Sequence, residues 1–305
     1  MIVILGTGGT IAGTARSAAD GVGYTAAQLR VEDLLAAVPT LAGRRLEAHQ
    51  VAQLDSKDMD FRTWRALASA VQAQLARPEV GGIVITHGTD TLEETAYLLH
   101  RVLGPTKPVV LTAAMRPATA LAPDGPQNLA DAVQVAAAPG ATGVVVAFAG
   151  RVHDAVQVRK THSYRVDAFE SADGALVARV EEGVVRLLGR WPAGEALGPG
   201  RIAAPAERWP RVDIVMNHAG ADGRVVRALL AAGVDGIVAA GTGNGTLSVA
   251  LDAALRDAEA RGVRVVRSTR CDAGPVMDLP GLLPAAGALS PVKARIELIL
   301  ALLAA

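Results

Sequence analysis

Short apolar runs alternate along this chain with glycine-rich turns and with segments whose apolar residues recur at helical spacing. The β-branched run at residues 83–85 is typical of a buried parallel strand. The apolar side of the helical pattern that follows is formed by Leu92, Thr95, Ala96, Leu99 and Val102. Thr91 and Glu94 together predict a capping box, so we expect this helix to begin near Thr91.

The same order of strand, turn and helix recurs through the chain and predicts its fold class. The predicted strands are residues 2–5, 82–86, 109–112, 143–149, 212–216, 236–240 and 263–267. Strands that alternate with helices indicate an α/β protein. We expect a larger N-terminal catalytic domain (1–188), with a mostly parallel sheet flanked by helices, and a smaller C-terminal α/β domain (211–305). The segment between them, 189–210, is dense in proline and glycine and is predicted to be a linker.

Composition excludes several functions. Among 305 residues, Lys plus Arg and Asp plus Glu both total 30, and aromatic residues make up 3%, so neither nucleic acid nor a membrane surface is an expected partner. Cys271 is the one cysteine, and the histidines lack the His-x-x-x-His spacing, so no metal is predicted. The first residues are typical of a strand rather than an export signal, which predicts a cytoplasmic protein. A periplasmic protein whose signal peptide had been removed would give the same pattern.

Two strand-to-helix turns carry the candidate chemistry. Thr89 and Asp90 follow the strand at 82–86, and ligands of open α/β sheets bind at the carboxyl ends of strands. The alternative is that both residues only cap the helix. Thr10 lies in the glycine-rich turn after the first strand, where main-chain N–H groups can hold an oxyanion, although Thr10 could equally be a turn residue.

The first turn also allows a test for dinucleotide binding. Gly6 and Gly8 fit the GxGxxG spacing, but the third position is Ile11. A nucleotide-dependent oxidoreductase is therefore a weak alternative, and no cofactor is predicted.

Two long segments are specific enough to indicate a family, and three shorter ones support them. They are Thr7-Gly8-Gly9-Thr10-Ile11-Ala12-Gly13 and His87-Gly88-Thr89-Asp90-Thr91-Leu92-Glu93-Glu94-Thr95, with Ala114-Met115-Arg116-Pro117, Asp124-Gly125-Pro126-Gln127-Asn128-Leu129 and Gly241-Thr242-Gly243-Asn244-Gly245. In sequence and order these segments resemble the bacterial type II L-asparaginases of the asparaginase/glutaminase family. The resemblance implies hydrolysis of L-asparagine to L-aspartate and ammonia through a covalent acyl-enzyme, without metal or cofactor.

The resemblance also implies catalytic roles. Thr10 is expected to be the nucleophile and Tyr24 to assist it, at the end of a lid formed by residues 14–24. Thr89, Asp90 and Lys160 match a second catalytic cluster. A lysine serves as a base only when its surroundings favour the neutral amine, and a nearby aspartate opposes this. We therefore expect Lys160 to orient Thr89 or a water molecule; considered alone, it would be a solvated surface charge.

Substrate-binding roles follow from the same resemblance. Ser56 is expected to bind the substrate α-carboxylate, with Gly88 beside it. Lys57 stands where many relatives have glutamine facing the α-ammonium, so it must turn away, pair with Asp55 or Asp58, or meet the α-carboxylate.

Two further residues are implied to act from the neighbouring subunit. Asn244 matches the family residue that reaches the amino side of the substrate. The loop at 270–280 lacks the glutamate that this neighbour usually contributes, and Asp278 or Asp272 is the candidate replacement.

A site shared between subunits implies a homo-oligomer, and the resemblance indicates a tetramer built from two intimate dimers. A mixed glutaminase-asparaginase differs in preference by one substrate methylene, which sequence does not decide. A non-catalytic amino-acid sensor on the same fold is the other alternative, because Lys57 and the missing glutamate are compatible with lost turnover. The family's subunit that feeds ammonia to tRNA-linked glutamate carries an extra N-terminal domain, so that role is not expected.

Overall fold

Strands and helices alternate from the first residues of the chain, which confirms the predicted α/β class. The computed structural model describes residues 1–171 and 176–304. It divides the chain into two units, Met1–Gly200 and Arg201–Ala305. The division falls inside the predicted linker, which also contains the 3-10 turns Pro199–Ile202 and Ala206–Arg208. The three-part boundaries at 188, 189–210 and 211 stay a prediction.

The first unit is built around an eight-stranded sheet with the order β10-β9-β6-β5-β4-β3-β1-β2. Its strands are β1 Ile2–Gly8, β2 Leu46–Leu54, β3 Gly82–Thr86, β4 Val109–Thr112, β5 Val144–Phe148, β6 Arg151–Asp154, β9 Ala178–Glu181 and β10 Val184–Leu187. β1 to β5 pair in parallel, as predicted for a mostly parallel sheet. β6, β9 and β10 add an antiparallel edge. A separate two-stranded ribbon pairs β7 Val158–Lys160 with β8 Phe169–Ser171.

The helices of the first unit are α1 Val31–Ala36, α2 Phe61–Leu75, α3 Leu92–Leu103 and α4 Gly125–Ala136. Every residue of β1, β3, β4 and β5 is buried, as expected for strands covered by helices on both faces. The predicted apolar side of α3 is buried in full. Asp60 caps α2 by accepting a hydrogen bond from Thr63 N–H.

The capping box predicted for α3 is wrong. Thr91 is the residue that precedes the helix, but its side chain makes no capping hydrogen bond. The Thr91 hydroxyl instead donates to the main-chain carbonyl of Ser56 at 2.8 Å. The Thr91 hydroxyl therefore makes a tertiary hydrogen bond instead of capping the helix.

The order of strands places a topological switch point between β1 and β3. From β1 the chain moves to β2 on one side of the sheet and then to β3 on the other. Gly6 of β1 pairs with Thr86 of β3, so both strands end at the same edge. A crevice opens at such a point outside the carboxyl ends of the strands, and ligands of open α/β sheets bind there.

The second unit has a three-stranded parallel sheet in the order β11-β12-β13. Its elements are β11 Val212–Met216, α5 Arg224–Ala231, β12 Gly236–Gly241, α6 Val249–Ala260, β13 Arg264–Thr269 and α7 Pro291–Leu302. A separate apolar core, which includes Ile237, Leu251 and Leu255, lies between this sheet and its helices. The predicted smaller C-terminal α/β domain is confirmed.

Candidate active site

Two glycines bring the turns after β1 and β3 into main-chain contact. Gly9 has φ +81°, and a Cβ atom placed on it would lie 2.3 Å from Gly88 Cα. A Cβ atom on Gly88 would lie 2.5 Å from Ser56 Oγ. Only residues without side chains allow this approach, which sets Thr10, Ser56 and Thr89 around one point of the sheet edge.

Thr10 is the first residue of the 3-10 turn Thr10–Ala12 and is 6% exposed. Its Oγ1 lies 2.6 Å from the Tyr24 hydroxyl, and either oxygen can be the donor. Main-chain bonds fix the turn, because Ala12 and Ala27 N–H both donate to the Gly9 carbonyl. The structure therefore brings together the two residues predicted as nucleophile and assistant.

Thr89, Asp90 and Lys160 form a second cluster. Lys160 Nζ donates to Thr89 Oγ1 at 2.9 Å and to Asp90 Oδ1 at 2.6 Å. The Lys160 side chain is 19% exposed, so it is not the solvated surface charge that lysine usually is. Because Thr89 Oγ1 accepts from the lysine, its own proton is directed away, toward a ligand or water.

Ser56 joins this second cluster through the main chain of the turn. It is 2% exposed, and its Oγ accepts a hydrogen bond from Asp90 N–H at 3.1 Å. Its carbonyl accepts from the Thr91 hydroxyl. Ser56, Gly88, Thr89 and Asp90 thus lie together, while their catalytic and substrate-binding roles stay a prediction.

Lys57 is paired with two neighbouring carboxylates. Its Nζ lies 2.6 Å from Asp55 Oδ2 and 3.4 Å from Asp58 Oδ2, and its side chain is 60% exposed. The hydrogen bond to Asp55 raises the pKa of Lys57. Pairing with Asp55 or Asp58 is one of the three arrangements expected from the sequence.

The segment 14–24 is closed at its base. Thr14 and Thr25 form a pair of main-chain hydrogen bonds, each 2.9 Å long. Within the segment, Asp20 accepts from the N–H groups of Val22 and Gly23, and these bonds lower the pKa of its carboxyl. Tyr24, the last residue of the segment, directly precedes Thr25, which takes part in this main-chain pairing with Thr14.

A buried row of hydrogen bonds lies behind the Gly88 turn. Trp64 Nε1–H donates to Thr95 Oγ1 at 2.8 Å, and Thr95 Oγ1 lies 3.0 Å from His87 Nε2. His87 Nδ1 lies 2.7 Å from the Gly88 carbonyl, which can only accept, so Nδ1 carries the proton and Nε2 accepts from Thr95. Burial lowers the pKa of His87 to about 4, so the ring is neutral at neutral pH.

No pattern in the sequence indicated the hydrogen-bond partners of His87. Trp64 and Thr95 stand 31 positions apart on different helices, and no spacing pattern links them. Thr91, which holds the Ser56 carbonyl, was misassigned to helix capping. Its position inside the motif at 87–95 was the available signal.

The second unit holds the remaining predicted residues. Asn244 lies in the turn after β12, and its Oδ1 accepts from Met277 N–H at 2.8 Å. Asp278 is the next residue of that loop and is exposed, and Asp272 is also exposed. Asp278 therefore directly follows Met277, whose N–H donates to the Asn244 side chain.

Residues 1–171 and 176–304 contain neither a cluster of metal-ligating side chains nor a membrane-spanning helix. No set of three His, Cys, Asp or Glu side chains is arranged to hold a metal ion. None of the helices combines the length and apolar character needed to cross a membrane.

Comparison with known proteins agrees with the fold and shows the family. Residues 1–192 match the family model for the N-terminal domain of asparaginase, and residues 211–305 match the glutaminase/asparaginase C-terminal domain. L-asparaginase 2 of Escherichia coli (strain K12) is 39% identical over 311 residues, covering 99% of this chain and 88% of the relative. The glutaminase-asparaginase of Pseudomonas fluorescens biotype A is 37% identical over 277 residues, covering 90% and 76%.

A solved structure gives the same result. The crystal structure of a probable cytoplasmic L-asparaginase from Campylobacter jejuni has a TM-score of 0.93 and 37% identity, covering 99% of this chain and 94% of that one. The α/β fold, the two family models and the named relatives together define an amidohydrolase. The chain belongs to the asparaginase family, as the sequence resemblance predicted.

Proposed function

We propose that this protein hydrolyses L-asparagine to L-aspartate and ammonia, with Thr10 as nucleophile and a covalent acyl-enzyme intermediate. One observation carries the proposal: two hydroxyl clusters, Thr10 with Tyr24 and Thr89 with Lys160, flank the Gly9–Gly88 contact at the switch point. Membership of the asparaginase family supports the same reaction.

In the first step Thr10 Oγ1 attacks the side-chain amide carbon of asparagine and the carbon–nitrogen bond breaks. The Thr10 proton, passed on through the Tyr24 hydroxyl, completes the ammonia that leaves, and water then hydrolyses the Thr10 ester to L-aspartate and the free hydroxyl. A threonine hydroxyl is a weak nucleophile until a neighbour accepts its proton. The Tyr24 hydroxyl, 2.6 Å away, is the group in contact with it. Main-chain N–H groups of the glycine-rich turn are suited to stabilise the oxyanion that forms.

The second cluster has a different task. Lys160 orients Thr89 and is itself held by Asp90, so the free direction of the Thr89 O–H faces the reacting group or the water that releases the acyl-enzyme. An ammonium that donates to a carboxylate is not a free base, which is why we assign Lys160 an orienting role.

The α-carboxylate and the α-ammonium of the substrate are bound by different residues. Ser56 binds the α-carboxylate, and Gly88 leaves room for the substrate because it has no side chain. Asp90 pairs with the α-ammonium, assisted by Asn244 and Asp278 of a second copy of the chain. Lys57, held by Asp55 and Asp58, borders this region without opposing the ammonium.

A site completed by a second copy requires a homo-oligomer, which we propose is a tetramer of two intimate dimers. We also propose a cytoplasmic location, with a periplasmic one as the alternative if a signal peptide has been removed. Relatives of both descriptions exist: a probable cytoplasmic L-asparaginase from Campylobacter jejuni and a probable periplasmic L-asparaginase from Haemophilus influenzae. Metal and cofactor are not needed for the steps above.

Glutaminase activity is a second candidate, because relatives 36–37% identical are described as glutaminase-asparaginases. One methylene distinguishes the two substrates, a difference typically worth about 1–3 kcal/mol. The relative kcat/KM for asparagine and glutamine measures this preference.

Ammonia release by the wild type, Thr10→Ala and Thr89→Val tests the proposal. We expect each substitution to lower kcat by at least ~100-fold, since each removes a hydroxyl that takes part in the reaction. Full activity of Thr10→Ala would end the nucleophile assignment. A wild type that binds asparagine in a thermal-shift assay but releases no ammonia would identify the protein as an amino-acid sensor instead.

A further inference from the structure

Arg267, on β13 of the second unit, is a buried cation whose role no motif indicated. It is 2% exposed. Its guanidinium donates to four main-chain carbonyls: Nε to Leu283 at 2.7 Å, Nη1 to Asn244 at 3.3 Å and Gly245 at 3.4 Å, and Nη2 to Met277 at 3.3 Å. Burying a charge costs free energy unless its hydrogen-bonding groups have partners, and the four carbonyls supply such partners for the Arg267 guanidinium.

The carbonyls belong to separate segments that carry two proposed substrate-binding residues. Asn244 and Gly245 lie in the turn after β12, which we define as residues 241–246. Met277 lies in the loop segment 276–279, which contains Asp278. Asn244 Oδ1 also accepts from Met277 N–H at 2.8 Å, so Arg267 and this bond connect the same two segments.

The geometry of the turn depends on the same guanidinium. Gly245 has φ +72°, and a Cβ atom on it would lie 2.9 Å from Val276 Cγ1 and 3.3 Å from Arg267 Nη1. Thr269, two residues further along β13, donates through Oγ1 to the Gly243 carbonyl at 2.7 Å. The strand β13 thus holds the turn at three successive carbonyls.

We propose that Arg267 is a positioning residue for substrate affinity: it locks the turn 241–246 and the segment 276–279 into one arrangement, so that Asn244 and Asp278 are presented to the substrate as a pair. This inference rests on the proposed function. The positioning acts on the binding of the amino-acid head, because the carbonyls that Arg267 holds belong to the segments of Asn244 and Asp278 and to Leu283.

The choice of arginine follows from the distribution of the carbonyls. A guanidinium carries five N–H donors in a planar fork and can serve acceptors on three sides. A lysine ammonium concentrates its donors at one atom. Arg267→Lys therefore keeps the charge but cannot hold Leu283, the turn and Met277 at once.

The experiment compares wild type, Arg267→Lys and the matched control Arg264→Lys, an exposed arginine on the same strand. We measure kcat and KM for ammonia release from asparagine, Kd for L-aspartate by calorimetry, and amide hydrogen exchange. For Arg267→Lys we expect KM and Kd to rise at least ~fivefold and kcat to change less than ~twofold, the pattern of lost binding without lost chemistry. Amide hydrogen exchange of Arg267→Lys should be faster than that of the wild type in both 241–246 and 276–279. Arg264→Lys should match the wild type in all of these measurements.

Two further variants keep the test decisive. Arg267→Lys should cost less affinity in an Asn244→Ala background than in the wild type, because the two residues act as a unit. Thr269→Val removes the hydroxyl that donates to the Gly243 carbonyl and accepts from Cys271 N–H at 3.1 Å. If Arg267→Lys does not fold, Thr269→Val should still raise KM ~two- to threefold, the same direction as expected for Arg267→Lys.

The outcomes separate this inference from the proposed function. An active wild type whose KM and Kd are unchanged in Arg267→Lys, with only a lower melting temperature, overturns the positioning role and leaves the function intact. A wild type that releases no ammonia but binds aspartate overturns the function, and its Kd still decides the positioning role. A wild type that does neither overturns both.

Discussion

The buried ring of His87 should make the stability of this protein sensitive to mild acid. Folding holds the ring neutral between Thr95 and the Gly88 carbonyl, and burial lowers the pKa of His87 from 6.5 to about 4. Between these values the unfolded chain binds a proton that the folded chain does not. The stabilising contribution is therefore complete above the unfolded pKa and is lost as the pH falls through 6.5 toward 4.

The size of the effect follows from the two pKa values. Linkage gives a loss of about 1 kcal/mol at about pH 5.5 and about 2–3 kcal/mol at about pH 4.5, relative to neutral pH. Asp131 acts in the opposite direction, because burial raises the pKa of its carboxyl and acid then favours its folded form. A variant without the histidine is therefore needed to isolate the contribution of His87.

Urea unfolding of the wild type and of His87→Gln, followed by tryptophan fluorescence, measures this contribution. Protein concentration is held constant because assembly contributes to apparent stability. His87→Gln should be less stable at every pH, yet lose about 2–3 kcal/mol less than the wild type on acidification to about pH 4.5. The exposed His218, replaced by glutamine, is the control for loss of one histidine. Parallel curves for wild type and His87→Gln would show that the ring is not held neutral.

Three further substitutions test the surroundings of the site. Gly9→Ala should prevent folding or lower the free energy of unfolding in urea by more than about 3 kcal/mol, because its Cβ would lie 2.3 Å from Gly88 Cα at a positive φ. A soluble, active variant would contradict the contact. Lys57→Met should change KM for asparagine less than ~threefold, because an exposed ion pair contributes little, whereas a tenfold rise would indicate direct substrate contact. Trp64→Phe should lower unfolding free energy by about 1 kcal/mol through loss of the bond to Thr95, with kcat unchanged; lower kcat at equal stability would refute a purely structural role.

Much of the fold was predictable because its central strands have unambiguous patterns. β3 and β4 are buried on both faces, so they are continuous apolar runs bounded by turns. β2 was not predicted, because it is a partly exposed edge strand whose polar and apolar residues do not alternate cleanly. The antiparallel edge was also missed, since β6 spans Arg151–Asp154 and is too short for a period to be recognised.

The site was predictable as far as its residues lie in continuous motifs. The structure brings Thr10 to Tyr24 and Lys160 to Thr89 and Asp90, while their catalytic and substrate-binding roles stay a prediction. Contacts set by tertiary packing, such as the Thr91 hydroxyl on the Ser56 carbonyl, leave no trace in local spacing. The direction of Lys57 was one of three alternatives, and only coordinates could select among them.

The meeting of Gly9 and Gly88 has a consequence for engineering. Since peptide backbone alone separates the two hydroxyl clusters there, no rotamer change or side-chain exchange can widen that gap. A redesign for bulkier amides would have to enlarge the cleft from its outer walls. The spacing between the Thr10 and Thr89 turns is in this sense a fixed dimension of the scaffold, and we expect libraries that randomise either glycine to yield mainly misfolded variants.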